Sequence, residues 1–161
     1  MPIFHFEYIG EGQTPNGKTV KLPPPAVLMV EGPFIGVTIS IADSFSQQLI
    51  QQGKPIPPPE TGRAILDTGA SGTCIDDSIA QKMGLPVIDR GNMGSTSHQS
   101  TPCNIYPILL VVQGTQIRIN VARAMGANLS SFGIIALIGR DFLQHCTLFY
   151  NGIRGQVTLS L

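Results

Sequence analysis

The sequence predicts an all-β domain carrying two short helices, and three observations predict it. Stretches such as Val37-Thr38-Ile39-Ser40-Ile41 and Ile117-Arg118-Ile119-Asn120-Val121 alternate apolar with polar residues, the period-two pattern of a strand with one face in a core. Glycine (18) and proline (13) punctuate the 161-residue chain densely enough to keep strands short and turns frequent. Hydrophobic residues reach 42% against 12% charged, a composition that fills a core and does not describe a disordered chain. One domain accommodates this length.

Residues 1–33 read as an N-terminal extension, with a turn over residues 11–17 between two short strands and Pro23-Pro24-Pro25 as a linker. Val37, Ile39 and Ile41 mark the first clear strand. In residues 43–53, Phe45 and Leu49 sit at helical spacing and Gly53 stops the run, which predicts a short surface helix capped by Asp43 or Ser44. Pro55 and Pro57-Pro58-Pro59 then stiffen an extended lead. Residues 63–66 and 73–75 read as strands joined by a loop that begins at Asp67. Asp76 or Asp77 should cap the second helix, which runs to Met83 and ends at Gly84.

The small, polar residues 91–100 predict a hairpin or loop. Strands at 108–112 and 117–121 come next, joined through Gln113-Gly114-Thr115. Ile134-Ile135-Ala136-Leu137-Ile138, bounded by Gly133 and Gly139, suits a strand buried on both faces, and a helical turn is expected at residues 142–145. Asn151-Gly152 predicts a tight turn between residues 147–150 and a last strand carrying Val157, Leu159 and Leu161. That last strand ends on apolar residues and is expected to pair with another.

Formal net charge is zero and no basic run is present, so neither nucleic acid nor an anionic membrane is an expected partner. Met1-Pro2-Ile3-Phe4-His5-Phe6-Glu7 lacks the basic start and apolar core of a targeting segment, and a cytoplasmic protein is expected. Cys74, Cys103 and Cys146 are odd in number and widely spaced, which predicts free thiols and no metal site. His145 and Cys146 are adjacent, and neighbours in a strand face opposite ways. Gly69-Ala70-Ser71-Gly72 is followed by Thr73 where a serine hydrolase elbow needs glycine. Gly10-Glu11-Gly12 is followed by Pro15 where a dinucleotide fingerprint needs its third glycine, so no cofactor is expected.

There remains Asp67-Thr68-Gly69-Ala70, directly after the apolar Ala64-Ile65-Leu66. A carboxylate ending a buried strand, with a hydroxyl beside it and a glycine one step on, is placed to meet a substrate's backbone. Water activation by carboxylates ordinarily takes two, and the triplet occurs once. About seventy residues later comes Ala136-Leu137-Ile138-Gly139-Arg140-Asp141-Phe142-Leu143. Together the two motifs resemble the hallmark pair of the retropepsin-like aspartic proteases, over about residues 34–161.

That resemblance implies a single acid-protease lobe with a closed, barrel-like sheet, active as a C2 homodimer that hydrolyses peptide bonds in extended polypeptides. It implies no metal and no cofactor. Residues 34–161 would be the protease domain, with residues 42–62 an insertion. Asp67 would be the catalytic carboxylate and Thr68 a hydroxyl bridge between subunit loops, completed by Gly69, which leaves room for substrate and tolerates positive φ, and by Ala70. Ile138, Gly139 and Arg140 form the second motif, and Gly91, Met93, Gly94 and Ser95 would lie in the flap. The terminal strand, residues 156–161, would join an intersubunit sheet.

Two departures stand out. Ser71 occupies the position where viral members carry an acid that pairs with the second-motif arginine, so Arg140 needs Asp76, Asp77 or a carbonyl instead. The extension and the insertion are also extra. Asp141 is expected to cap a helix. The competing expectation is a dimeric peptide-binding or scaffold module of the same fold with little or no turnover.

Overall fold

The computed structural model describes residues 2–95 and 98–161. Thr96 and Ser97, in the middle of the predicted flap, lie outside the described residues. In chain order the elements are β1 (Ile3–Glu7), β2 (Gly10–Gln13), β3 (Thr19–Leu22), α1 (Pro24–Glu31), β4 (Phe34–Ile41), α2 (Asp43–Gln51), β5 (Glu60–Leu66) and β6 (Cys74–Asp76). Beyond these come α3 (Asp77–Lys82), β7 (Asp89–Ser95), β8 (His98–Val112), β9 (Arg118–Ala127), β10 (Ala136–Ile138), α4 (Arg140–Leu143), β11 (Thr147–Asn151) and β12 (Gln156–Ser160). The chain divides into two units, Ile35–Phe142 and a second made of Met1–Phe34 with Leu143–Leu161.

In the first unit, the alternation read from residues 37–41 places Val37, Ile39 and Ile41 in the core opposite Val112, Leu110 and Ile108 of β8. The sheet runs β4-β5-β10-β6-β9-β8-β7, and β4 also pairs with β8. Six strands therefore close into a mixed barrel, and β7 extends from it as one arm of the β7–β8 hairpin. Strand β8 is far longer than residues 108–112. Its N-terminal half pairs with β7 and its C-terminal half with β4, and Pro107 sits where its register against β9 shifts. The prolines at 102 and 107 break the sequence pattern without ending the strand.

Helix α2 is a surface helix with no fully buried residue, as expected, but its N-cap is Ala42, and Asp43 sits in the first turn. Helix α3 matches expectation more closely. Asp76 is its N-cap and accepts the Ser78 and Ile79 amides at 3.1 and 3.2 Å, and Gly84 beyond it takes φ +64°. The other carboxylate oxygen of Asp76 accepts the Leu129 and Ser130 amides at 2.9 and 2.7 Å. The residue is buried, which opposes ionisation, yet the Ser78 hydroxyl and these amides hold its carboxyl below the usual range.

The second unit is built on an antiparallel sheet in the order β1-β12-β11, with β2 and β3 forming a separate hairpin. Phe4 and Leu148 flank Leu159, and Phe6 and Tyr150 flank Val157. The terminal strand is thus the central strand, paired on both sides within its own chain, because the N-terminal extension supplies β1. Residues 156–160 therefore have both edges filled within the chain. The predicted linker at Pro23-Pro24-Pro25 is corrected. Pro24 and Pro25 open α1, where a missing N–H leaves no bond unmade and the fixed φ already suits a helix.

The turn after β11 is wider than Asn151-Gly152 alone. Asn151 Oδ1 accepts the Arg154 amide at 3.1 Å, and the left-handed residue is Gly155, at φ +63°. Tyr8 is buried in this unit, edge-on to Phe34 with ring centroids 5.0 Å apart.

Asp76→Ala should destabilise the protein by about 2–3 kcal/mol, since it removes a helix cap, strands the buried Leu129 amide and takes the partner from the Ser130 amide. The drop in the urea midpoint measures it. Because the folded carboxyl titrates below its unfolded value, its contribution is full above the unfolded pKa and should fade as pH falls below about 4.

Candidate active site

Strand β5 delivers Asp67 and β10 delivers Gly139, and the two strands run parallel with Leu66 beside Ile138. The Asp67 amide donates to the Ile138 carbonyl at 2.9 Å, so the first loop leaves the sheet at the level where the second begins. The loops then bind each other. The Arg140 amide donates to the Ala70 carbonyl at 2.9 Å and the Asp141 amide to the Ser71 carbonyl at 3.2 Å. Arg140 Nη1 donates to the Thr68 and Gly69 carbonyls at 2.8 and 2.9 Å. Of the three partners weighed for Arg140, the carbonyls hold it, and Asp76 and Asp77 are engaged elsewhere.

Backbone contact makes the interlock tight. A Cβ on Gly139 would lie 2.5 Å from the carbonyl carbon and oxygen of Gly72, so only glycine fits there. Buried Thr73 fastens the same junction. Its hydroxyl accepts the Gly139 amide at 3.3 Å and donates to Asp141 Oδ1 at 2.8 Å, and its amide donates to Asp141 Oδ2 at 2.9 Å. Asp141 therefore holds the two loops together across 68 residues of chain, a larger role than the helix cap expected of it.

Asp67 itself is half-buried. Its Oδ1 accepts the Gly69 amide at 2.8 Å, which fixes the carboxylate's orientation. Gly69 does not use a positive φ. Its value is room, since a Cβ there would stand 3.0 Å from Asp67 Oδ1. Thr68 is exposed at the loop's tip.

A cleft of about 790 Å³ opens over this loop. Asp67, Gly69, Ala70, Ser71 and Arg140 form its polar side, and Cys74, Met125, Leu137 and Met93 form its apolar wall. Met93 and Gly94 reach the cleft from β7. Gly91 does not, being packed against Ile105 and Cys103 of β8. Ser95 pairs with His98 near the end of the hairpin.

Sequence reasoning missed Cys74, Met125 and Leu137 as wall residues. The period-two pattern around each was the available signal, because it sets which side chains leave the barrel on the cleft side. Burial, then the neighbouring Cys103 thiol and the Asp141 and Asp67 carboxylates, push the Cys74 thiol up to about 11. Cys74 is thus a neutral wall residue at physiological pH, with its sulfur 4.0 Å from that of Met93, and offers no thiolate nucleophile. Among the described residues no group of three or more His, Cys, Asp or Glu is placed to hold a metal ion. No helix among them is long and apolar enough to cross a membrane.

The sequence pattern of the aspartyl protease family matches residues 53–142, which span both loops and the barrel strands between them. The chain belongs to the aspartyl protease family. No curated protein matches this family member's sequence. Among solved structures it is similar to the retropepsin-like aspartic protease from Rickettsia conorii, at 13% identity and TM-score 0.46, over 98% of this chain and 92% of that one. It is similar to the simian foamy virus (mac) protease at 15% identity and TM-score 0.42, over 69% and 91%. The retroviral protease-like domain of Ddi1 from Leishmania major is similar at 14% identity and TM-score 0.39, over 74% and 82%.

Gly139→Ala should destabilise this aspartyl protease family member by about 3 kcal/mol, because backbone would have to move to admit the methyl group. Equilibrium urea unfolding measures the loss. A stability equal to wild type would show that the two loops are not in the contact described.

Proposed function

We propose that the chain is an aspartic endopeptidase whose two-acid site forms when two copies each contribute one Asp67. The carrying observation is the carboxylate itself. It is fixed by the Gly69 amide on one oxygen and set in the cleft by a loop that a second loop immobilises, and the chain supplies one such acid. Two carboxylates about 3 Å apart cannot both ionise, so the pair holds one proton in common and titrates as a unit. The ionised member takes a proton from water as the water attacks the scissile carbonyl, and the protonated member gives its proton to the carbonyl oxygen. Neither a metal nor a covalent intermediate enters.

Thr68 is assigned the hydroxyl bridge between the two loops, and Gly69 the approach of the substrate backbone. The β7–β8 hairpin is assigned as the flap, since Met93 and Gly94 already line the cleft and closure would exclude water. The protease lobe is taken as residues 34–161, with the α2-bearing segment 42–62 as an insertion. The apolar wall favours substrates with apolar side chains next to the scissile bond. Ser71 favours the rival peptide-binding module, yet Arg140 keeps the loop in place through two carbonyls without the missing acid.

Incubation with unfolded polypeptides separates the readings. Wild type should cut them, and Asp67→Asn should cut none while keeping the wild-type circular dichroism spectrum. Binding without products would favour the module, and cutting by Asp67→Asn would refute the assignment. Turnover should be greatest between about pH 4 and 6 and should fall at alkaline pH, when the shared proton is lost. A rate that instead rises steadily through pH 9 would point to different chemistry.

A further inference from the structure

Beside the cleft, in the same unit, lies a second cavity of about 520 Å³ whose lining includes Asp77, Gln81, Arg90 and Asn104. Met93 lines both. The two also share a face of the barrel. Cys74 and Met125 pair in the cleft wall, and two residues further along the same strands Asp76 and Ala127 pair and line the second cavity. Alternate residues of a strand face the same way about 7 Å apart, and an extended polypeptide repeats its own side chains at that spacing. A chain lying in the cleft therefore has a second cavity within reach of a side chain further out.

A carboxylate sits at the heart of this second cavity. Glu60, Asp43 and Asp89 pair with Lys82, Arg118 and Arg123, whereas Asp77 is held by neutral donors. Its Oδ1 accepts the Tyr106 hydroxyl at 2.7 Å and Asn104 Nδ2 at 3.3 Å, and its Oδ2 accepts Nε2 of the exposed Gln81 at 2.5 Å. Burial, then Asp77 itself, push the Tyr106 hydroxyl up, so the phenol stays a donor. Strand β9 makes room for the acid, since a Cβ on Gly126 would collide with Asp77 Oδ1. Asp76 takes no part, because amides and the Ser78 hydroxyl already occupy its two oxygens. Arg90 lines the cavity from β7 and is exposed, and among the described residues no ion pair joins it to Asp77. Two carboxylates against one guanidinium leave the lining net negative. A half-buried acid oriented by neutral donors keeps its charge for a cation from outside.

We propose that Asp77 recognises a lysine or arginine side chain of the polypeptide substrate, seated in this second cavity while the scissile bond lies over Asp67. The proposal rests on the proteolytic reading of the cleft and adds to it a basic residue beyond the apolar ones next to the bond. Peptides with an apolar centre and Lys, Gln or Glu at one outer position at a time test it, by fluorescence anisotropy against full-length Asp67→Asn and by cleavage with wild type. At one outer position the Lys peptide should bind about fivefold or more tighter than the Gln peptide, with the Glu peptide weakest. Adding Asp77→Asn should bring the Lys-to-Gln ratio close to one, and adding Arg90→Gln, at an exposed position, should raise it by removing a like charge. The ratio is read within each protein, so a general loss of affinity cancels, and circular dichroism verifies each fold. Peptides bound alike at every position or not bound at all, a ratio that survives Asp77→Asn, or one that Arg90→Gln lowers would each overturn the proposal. A Lys preference without cleavage by wild type would leave the Asp77 site standing and remove the protease reading; cleavage without the preference would do the reverse.

Discussion

The contact between Gly139 and the Gly72 backbone is the constraint on which the site depends. Two strands of the same barrel, β5 and β10, run parallel and release their loops at the same level. The loops can share that space only because Gly139 carries no side chain where it meets the Gly72 backbone. Once they are that close, amide-to-carbonyl bonds, the Arg140 fork and the Thr73–Asp141 pair fall within reach of one another. Each such bond is worth only about 1 kcal/mol net, but together they restrict the loop to one geometry. An acid at the end of a freely moving loop could not be kept beside a substrate carbonyl or beside a second acid.

The barrel also explains why the cleft wall is apolar. Cys74, Met125 and Leu137 belong to neighbouring strands β6, β9 and β10, with Cys74 opposite Met125 on one side and Leu137 on the other. One row of side chains across three strands therefore becomes one wall. Set against it, the loop offers exposed Thr68 and Gly69 and the oriented Asp67 carboxylate. On the proposed reading, apolar contact would hold a polypeptide's side chains there while the loop meets its backbone.

Much of this was legible in the residues. Alternation found β4 and the start of β9, the Asp76 cap and Gly84 bounded α3, and the two motifs identified both loops. The misreadings share a physical origin. Pro23-Pro24-Pro25 suggested an extended linker because the local preference of three prolines is blind to the residues downstream, and the same prolines open a helix when those residues favour one. Strand β8 looked short because Pro102 and Pro107 interrupt its pattern, yet Pro102 is tolerated on an arm that pairs with β7 before the ladder to β9 begins, and Pro107 where the register against β9 shifts. The place of β12 at the centre of its sheet depends on β1, some 150 residues away, which no local pattern reveals. Asp141 was read from its helix alone, and its tie to Thr73 depends on the parallel pairing of β5 with β10.

On the proposed reading, catalysis needs two Asp67 carboxylates from two chains holding one proton in common. Wild-type protein mixed in varied proportion with Asp67→Asn, at fixed total concentration and after subunit exchange, tests this most directly. The cleavage rate should vary as the square of the wild-type fraction, since only dimers with two acids are competent. A rate proportional to the first power of that fraction would mean that each chain acts with its own acid alone, and would contradict the shared site.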